Sequence, residues 1–178
     1  MNTTSTNRRP DGPLHSRVVA SPVGDLTIVA SDVGVRAVLW PSDDDRRVPL
    51  PGDVVACEDH PVLDRAVIEL QEYFDGDRRE FDVPIDAEGT DFQHQAWLAL
   101  RSIPFGETVS YGEQAARMGD RNKARAVGAA NGKNPVSIIV PCHRVVGSTG
   151  SLTGFAGGLE TKQWLLAHEQ RVAGNTLL

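Results

Sequence analysis

Cysteines and long apolar runs are both scarce in this sequence of 178 residues. Cys57 and Cys142 are its only cysteines, too few for the disulfide framework of a small secreted domain. No apolar run approaches the roughly 20 residues that cross a bilayer. Residues 1–13 are polar and lack the apolar centre of a secretion signal. We therefore expect a disordered tail at 1–13 and a monomeric cytoplasmic protein with no membrane partner.

Motifs that bind metal ions are also missing. The sequence has no Cys-x-x-Cys pair and no closely spaced histidines, which are the usual signs of a zinc site. We interpret His60 and Cys57 as structural or incidental residues. The sequence predicts no metal and no cofactor.

The net charge of −6 by itself argues against a nucleic-acid partner, but the charge is unevenly distributed. Residues 1–90 carry nine basic and 18 acidic side chains, whereas residues 91–178 carry nine basic and six acidic ones. Within 117–144 only Asp120 is acidic, and the basic residues are Arg117, Arg121, Lys123, Arg125, Lys133 and Arg144. Such a patch fits either phosphate contact or a solvated helical face, and charge alone leaves both open.

The first half has the pattern of a small β-sheet followed by a helix. Short strands are predicted at 17–20, 26–31 and 35–40, separated by turns rich in glycine, proline and aspartate. Residues 41–60 are predicted to be loop. A helix follows Pro61, with Leu63, Leu70 and other apolar residues on one face, and Gly76 ends it. Residues 80–85 are predicted to add a strand.

The second half follows a linker at 86–90 and has helical periodicity. Thr90 and Gln93 form a capping box for a first helix, and Ser110 and Glu113 start another at Tyr111 that stops at Gly119. A third helix is predicted from a cap at Asn122 to Asn131, with Gly132 following it. The last two helices and their short connection predict a helix-turn-helix.

The third of these helices is built from small residues and one long one. Small side chains occupy five positions: Ala124, Ala126, Gly128, Ala129 and Ala130. Arg125 is the exception. A small-sided helix can approach a DNA groove closely, or equally pack against a neighbouring helix, and the pattern leaves both interpretations open.

A candidate nucleophile follows an apolar run. Residues 138–140 are Ile-Ile-Val, expected to be buried, and Pro141 ends the run immediately before Cys142. The adjacent His143 favours the reactive thiolate, and Glu169 is the best candidate to orient its imidazole. The alternative is a buried structural cysteine beside a surface histidine.

Ordered motifs around Cys142 indicate a family. They are Asn134-Pro135, Pro141-Cys142-His143-Arg144-Val145-Val146, Gly154-Phe155-Ala156-Gly157-Gly158 and Leu165-Leu166-Ala167-His168-Glu169. With Tyr111 and Arg125-Ala126-Val127-Gly128, they resemble the methylated-DNA–protein-cysteine methyltransferases, or O6-alkylguanine-DNA alkyltransferases. The resemblance is close over 92–170 and weaker over 14–85. It implies an α/β (α+β) fold, with a ribonuclease-H-like sheet domain at 14–86 and a mostly helical DNA-binding domain at 87–172.

The resemblance also implies a role for each site residue. Cys142 accepts the alkyl group, and His143 acts as base through a water molecule while Glu169 holds its tautomer. Tyr111 donates a proton to the departing guanine, and Asn134 braces the turn that carries the cysteine. The protein is consumed because the alkyl group stays on Cys142.

The implied partner is double-stranded DNA with an alkylated base, bound from the minor groove after the base is flipped out. Arg125 fills the vacated stack, and the other expected DNA-binding residues are Ala126, Gly128, Ala129 and Lys133. The backbone carbonyls of Cys142 and Val145 bind the guanine amine.

A loop at 154–158 is expected to close over the base, so that Phe155, Ala156 and Gly157 join Val145 in the substrate pocket. Phe155 and Ala156 depart from the family's usual tyrosine and hydroxyl residue, which leaves O4-alkylthymine and bulky alkyl groups open as substrates.

Three other functions fit parts of the same pattern. A thiol hydrolase uses a cysteine and histidine but turns over. A non-catalytic sensor of alkylated DNA resembles this family but lacks the cysteine. A helix-turn-helix regulator binds a specific sequence whether or not the DNA is alkylated.

Overall fold

The computed structural model describes residues 12–51 and 53–174, so most of the tail predicted at 1–13 lies outside the described residues. The first half forms a four-stranded sheet of β1 (Leu14–Val19), β2 (Leu26–Ala30), β3 (Val35–Leu39) and β4 (Val54–Ala56). Its order is β3-β2-β1-β4. The first three strands form an antiparallel meander, as predicted, and β4 pairs with β1 in parallel.

Helix α1 (Pro61–Asp75) packs on this sheet. The His60 side chain caps its start, proline occupies its first turn, and Gly76 ends it with a left-handed backbone (φ 84°). Its apolar stripe buries Leu63, Leu70 and Tyr73 completely. The helix predicted after Pro61 is therefore confirmed at both ends.

Two predictions about this half are wrong. The segment predicted as loop at 41–60 contains β4, a three-residue strand that has too little apolar alternation to be recognised. Residues 80–85 do not form a strand, and only Ile85 bridges β3, at Val35. The reason is that the backbone N–H groups of Asp82 and Val83 donate to the Glu69 carboxylate, at 2.7 and 3.0 Å, rather than to a neighbouring strand.

The second half is mostly helical. It contains α2 (Asp91–Leu100), α3 (Tyr111–Arg117), α4 (Ala124–Gly132) and α5 (Leu159–Gly174). Two short strands, β5 (Val109–Ser110) and β6 (Val145–Val146), pair in parallel. The predicted combination of a small sheet domain and a helical part is confirmed. Among the described residues, no helix has both the length and the apolar character needed to span a bilayer.

The caps follow the sequence prediction at α2 and α3 but not at α4. Thr90 and Gln93 form the reciprocal capping box, and the Ser110 hydroxyl accepts from the Glu113 backbone at 3.1 Å. Asn122 caps nothing. Asp120 instead caps a 3-10 turn at Arg121–Lys123, and α4 begins directly after that turn. The aspartate is preferred because its carboxylate already binds the Asn122 N–H at 3.0 Å.

A buried pair of amides fixes α3 against α4. The Gln114 side chain donates to Asn131 Oδ1 at 3.1 Å, and Asn131 Nδ2 donates to Gln114 Oε1 at 2.7 Å. Gln114 also binds the carbonyl of Ala96 in α2. The indole of Trp97 in α2 donates to the carbonyl of Ala130 at 2.9 Å. The three helices are thus held by directional bonds as well as by apolar packing.

One apolar core extends through both halves of the chain. It contains Val35 and Leu70 from the first half together with Trp97, Val136 and Leu165 from the second. The Val38 N–H donates to the Pro135 carbonyl at 2.9 Å, so the sheet edge also bonds to the second half. The domain limits at 86 and 87 remain a prediction.

We predict that Gln114→Leu lowers the free energy of unfolding by about 1–3 kcal/mol, because the substitution leaves the buried Asn131 amide without its partner. Urea denaturation followed by circular dichroism measures the loss. The matched double variant Gln114→Leu with Asn131→Leu should recover part of the loss, since neither amide is then stranded. Equal or greater instability of the double variant would contradict the prediction.

Candidate active site

The segment before Cys142 is held rigidly by Asn134. The Asn134 side chain donates to the Val140 carbonyl at 2.9 Å and accepts from the Val136 N–H at 3.0 Å, so it closes the loop on itself. Ile138 within this loop has φ +73°, an unfavourable conformation for a β-branched residue. Such strain persists only where the surroundings enforce it. The run at 138–140 is buried as predicted, and it forms this strained loop.

The first half of the chain supports the same loop from outside. The buried Arg47 guanidinium donates to the carbonyl of Asn134 and, at 3.0 Å, to that of Val38. Asp43 neutralises its charge through two further hydrogen bonds. The Trp40 indole donates to the Ser137 hydroxyl at 3.2 Å. No catalytic residue is predicted from sequence in this half of the chain, yet its side chains position the loop that carries Cys142.

Cys142 and His143 begin a buried 3-10 turn, Cys142–Arg144. The His143 Nε2 lies 2.6 Å from Glu169 Oε2, so the structure brings together the histidine and the carboxylate that the sequence paired. Because an ionised carboxylate only accepts hydrogen bonds, Nε2 carries the proton and Nδ1 carries a lone pair. His143 Nδ1 is buried and has no hydrogen-bond partner among the described residues.

Glu169, in α5, is the centre of a wider network. Among the described residues it accepts five hydrogen bonds, listed here with their distances: His143 Nε2 at 2.6 Å, Tyr73 Oη at 2.7 Å, Arg144 at 2.8 and 3.2 Å, and the Gly106 N–H at 3.1 Å. Tyr73 belongs to α1 in the first half of the chain. The network therefore connects three separate parts of the sequence around one carboxylate.

Burial and the neighbouring charges determine the protonation states of Glu169, His143 and Tyr73. Burial opposes the ionisation of Glu169, but His143 and Arg144 outweigh it and hold its pKa well below the ordinary value. Burial lowers the pKa of His143, so its imidazole is neutral at physiological pH. Burial, together with the adjacent Glu169 charge, raises the pKa of the Tyr73 phenol, which therefore remains a donor.

Cys142 is a thiol in this environment. Burial raises the pKa of Cys142, and a hydrogen bond from Asn134 and the charges of Lys162 and Arg47 only partly oppose the shift. A thiol at neutral pH needs a base before it can act as a nucleophile. The neutral imidazole of the next residue can supply that base.

A narrow pocket of about 20 Å³ lies next to Cys142. It is enclosed by residues from α3, α4, the strained loop and the loop before α5: Tyr111, Gly128, Asn131, Gly132, Asn134, Ser137, Cys142, Gly154, Phe155 and Ala156. The Tyr111 hydroxyl is 2.7 Å from Thr153 Oγ1. A Cβ at Gly128 would lie 3.5 Å from the Tyr111 ring, so the glycine allows α4 to pass close to the tyrosine.

Two predicted pocket residues do not line this cavity. The Val145 side chain is fully buried, and its carbonyl accepts from the buried Lys162 ammonium at 2.6 Å. Gly157 faces Trp40, where an added Cβ would come within 2.7 Å of the indole. The Trp40 and Phe155 rings meet edge to face at 5.4 Å. The sequence could not separate these residues from Phe155 and Ala156, because all of them lie in the same two motifs.

The predicted DNA-binding residues share the outer surface of α4. Arg125, Ala126 and Ala129 are exposed, as is Lys133 directly after the helix, and Gly128 is half-buried. Arg121 and Lys123 are also exposed on the preceding turn. Arg144 is different: it was counted in the basic patch, but it is buried with Glu169 and cannot contact phosphate.

Tyr73, Trp40, Arg47, Arg144 and Lys162 are the site residues that sequence reasoning missed. A buried Lys or Arg is a strong sign of a specific partner, but burial cannot be read from a chain in which these residues look like ordinary surface charges. Of these five residues, only Arg144 could have been recognised from the sequence as part of the site, because it directly follows the Cys142-His143 pair.

Comparison with known proteins places both halves in one family. Residues 14–87 match the ribonuclease-like domain of 6-O-methylguanine DNA methyltransferase, and residues 91–171 match the DNA-binding domain. A methylated-DNA–protein-cysteine methyltransferase of Mycolicibacterium paratuberculosis is 46% identical over 161 residues, which are 89% of this chain and 93% of the relative.

A more distant relative and a solved structure indicate the same family. A protein with the same description from Methanosarcina acetivorans is 40% identical, over 88% of this chain and 98% of its own length. The crystal structure of Mycobacterium tuberculosis OGT in complex with DNA is similar with a TM-score of 0.81 and 42% identity, and the match covers 89% of this chain and 94% of that one.

We predict that Glu169→Gln lowers the free energy of unfolding at neutral pH by about 3–5 kcal/mol, because it leaves the buried Arg144 charge uncompensated. The folded-state pKa of Glu169 is depressed. The contribution of the Glu169 charge to the free energy of unfolding is therefore complete above the pKa that this group has in the unfolded chain. It is lost as the pH falls through the lower pKa that the group has in the folded protein. The difference between wild type and variant should accordingly shrink in acid.

Urea unfolding across a pH series measures both effects. Glu160→Gln is the matched control, since it removes an exposed carboxylate from the first turn of the same helix and should change stability little. A Glu169→Gln penalty that does not shrink as the pH falls from about 4 to about 2 would contradict the assignment.

Proposed function

Because this chain belongs to the 6-O-methylguanine DNA methyltransferase family, we propose that it repairs DNA by transferring an alkyl group from O6 of guanine to its own Cys142. The family resemblance carried by the motifs is thereby confirmed. DNA repair by alkyl transfer, with DNA as the partner, follows from membership of the family. The acceptor, the roles of the other residues and the single use are the proposal.

The observation that carries the proposal is the arrangement of Cys142 and His143. The cysteine lines a pocket and is held as a thiol, while its neighbour is a neutral imidazole with an unpartnered, buried Nδ1. The Nε2 proton is fixed by Glu169, so Nδ1 is the basic nitrogen. A base that is neutral next to a thiol that needs deprotonation is the combination required for nucleophilic attack.

The transfer begins at the thiol. Cys142 loses its proton to His143 Nδ1 through one water molecule, and the sulfur attacks the alkyl carbon in line with the bond to O6. A carbon–sulfur bond forms as the carbon–oxygen bond breaks. Glu169 stabilises the imidazolium that results, since its low pKa keeps it ionised. Arg144, Tyr73 and Gly106 hold the carboxylate in place and do not touch the substrate.

The leaving base takes up the electron pair of the broken bond. Tyr111, whose ring lines the pocket, donates a proton to the guanine ring so that the base leaves neutral. The imidazolium releases its proton to solvent, and solvent reprotonates the tyrosine. The net change is one proton moved from sulfur to guanine and one alkyl group moved from oxygen to sulfur.

Single use follows from the product. The alkylated Cys142 is a thioether, which has no acidic proton and is a poor leaving group at neutral pH. None of the described side chains around it is a second thiol, since Cys57 lies in the first half after β4. Nothing in the proposed chemistry regenerates the thiol, and each molecule therefore acts once.

The target base must leave the duplex to reach Cys142. Flipping costs a few kcal/mol, less for a base that already pairs badly. The exposed face of α4 has Arg125 beside small residues, which suits a helix in the narrow minor groove with one long side chain inserted into the stack. Lys133, directly after α4, lines a neighbouring cavity that shares Gly132 and Ala156 with the Cys142 pocket, and it suits a phosphate contact.

Substrate range depends on the loop that carries Phe155 and Ala156. Ala156 has no hydroxyl to offer a base, so the proposed pocket relies on backbone N–H groups there. This arrangement recognises the oxygen of O6-alkylguanine and is compatible with the corresponding oxygen of O4-alkylthymine.

We predict that a DNA duplex with one O6-methylguanine adds one methyl mass to the protein and no more, and that peptide mapping places it on Cys142. Intact mass spectrometry with excess DNA measures the stoichiometry. Cys142→Ser should bind the same duplex and gain no mass, whereas Cys57→Ser is the matched control and should behave as wild type. Turnover, or a methyl group on any other residue, would contradict the proposal.

We predict that Arg125→Ala reduces base flipping more than overall DNA affinity, because the arginine fills the space that the base vacates. A fluorescent base analogue next to the lesion reports flipping, and a salt titration reports phosphate contacts. Arg121→Ala is the control on the neighbouring turn and should only lower affinity and the salt slope. If Arg125→Ala does the same, Arg125 contacts phosphate instead.

A further inference from the structure

A second cluster of chemically active side chains lies in the sheet domain, outside the proposed active site. His15 is in β1, Asp32 is in the turn between β2 and β3, and His60 is at the start of α1. One donor atom from each lies within 4.8 Å of the other two. The fold thus brings together two imidazoles and a carboxylate that are far apart in sequence.

Both imidazoles of this cluster have an unsatisfied nitrogen. His15 Nδ1 and His60 Nε2 are buried and have no hydrogen-bond partner among the described residues. His60 is itself about nine-tenths buried, with 8% of its side chain exposed. The two rings are 5.1 Å apart between centroids. Buried polar atoms without a partner are rare in folded proteins and call for a specific explanation.

The spacing of the donor atoms suggests that these unsatisfied nitrogens are ligands of a metal ion. His60 Nε2 and Asp32 Oδ1 are 3.6 Å apart, which is too long for a hydrogen bond. Ligands bound at about 2.0–2.1 Å to a tetrahedral zinc ion are separated by roughly 3.4 Å. All three donor atoms lie within 4.8 Å of one another, and the Asp32 side chain, which is 75% exposed, can move toward the imidazoles at little cost.

We propose that His15, Asp32 and His60 bind one zinc-type divalent ion, with a water molecule as its fourth ligand. Two imidazoles and one carboxylate form a donor set that suits Zn²⁺. The nearby Arg17 guanidinium does not prevent binding, because its charge is paired with Asp64 at 2.5 Å. The sequence predicts no metal at these positions, because residues 15, 32 and 60 form no short-range motif.

Binding requires one local change at the start of α1. His60 Nδ1 accepts from the Leu63 N–H at 3.4 Å, a long hydrogen bond. When an ion binds Nε2 of a neutral imidazole, the proton is on Nδ1, which can then no longer accept the hydrogen bond from Leu63. The helix-capping hydrogen bond is therefore exchanged for the bond to the metal. The ion then fixes β1, the β2–β3 turn and the start of α1 to one another. Its role is structural and independent of alkyl transfer.

The test is a zinc titration of the chelator-treated full chain by calorimetry, with a parallel measurement of the melting temperature. Wild type should bind one Zn²⁺ and melt at a higher temperature in its presence. Asp32→Asn and His60→Asn should each weaken binding by more than about tenfold and remove the thermal shift. Asparagine at 60 retains a helix-capping side chain, and position 32 is exposed, so both variants should fold.

Two controls separate this site from other ligands in the chain. His94→Ala removes an exposed histidine outside the cluster and should bind zinc as wild type does. Substitution of cobalt for zinc should give no thiolate-to-metal absorption, because no cysteine belongs to the cluster. Alkyl transfer by Asp32→Asn should be unchanged. Absence of zinc binding by wild type, or full binding by both cluster variants, would overturn the proposal.

Discussion

The buried carboxylate of Glu169 is the interaction on which the rest of the site depends. It is fully buried and accepts hydrogen bonds from three side chains and one backbone N–H, which belong to α1, the turn after Cys142 and the loop before β5. A buried charge without such partners is strongly unfavourable, so the fold must bring all these groups together at once. The contact between the two halves of the chain and the orientation of His143 therefore depend on the same carboxylate.

This network explains why a thiol with a raised pKa is compatible with nucleophilic chemistry. A permanently ionised cysteine inside the protein would need a compensating charge and would be open to oxidation. Here the negative charge resides on Glu169, where Arg144 compensates it, and in the proposed function the cysteine remains neutral until His143 takes its proton. In that proposal the negative charge forms on sulfur only when the thiolate attacks, which suits a residue that acts once.

The sequence predicted the local features well and the long-range ones poorly. The capping box at Thr90, the helix after Pro61 and the pairing of His143 with Glu169 could be predicted because each depends on short-range chemistry or a specific motif. Tyr73 could not, because its partner is 96 positions away and a tyrosine on an apolar helix face looks like core. Asp120 displaced Asn122 as a cap because either residue type satisfies the pattern, and only the backbone geometry chooses between them.

The sheet domain also limits access to Cys142. The pocket beside the cysteine is about 20 Å³, close to the size of one water molecule and far too small for a purine. Its wall at Phe155 packs against Trp40, and Gly157 of the same loop lies directly on that indole. A purine can therefore enter only if part of this wall moves, and Trp40 holds one part of it, the loop at 154–158. In the proposed function, substrate breadth then depends on how firmly the sheet domain holds the loop as well as on the side chain at Ala156.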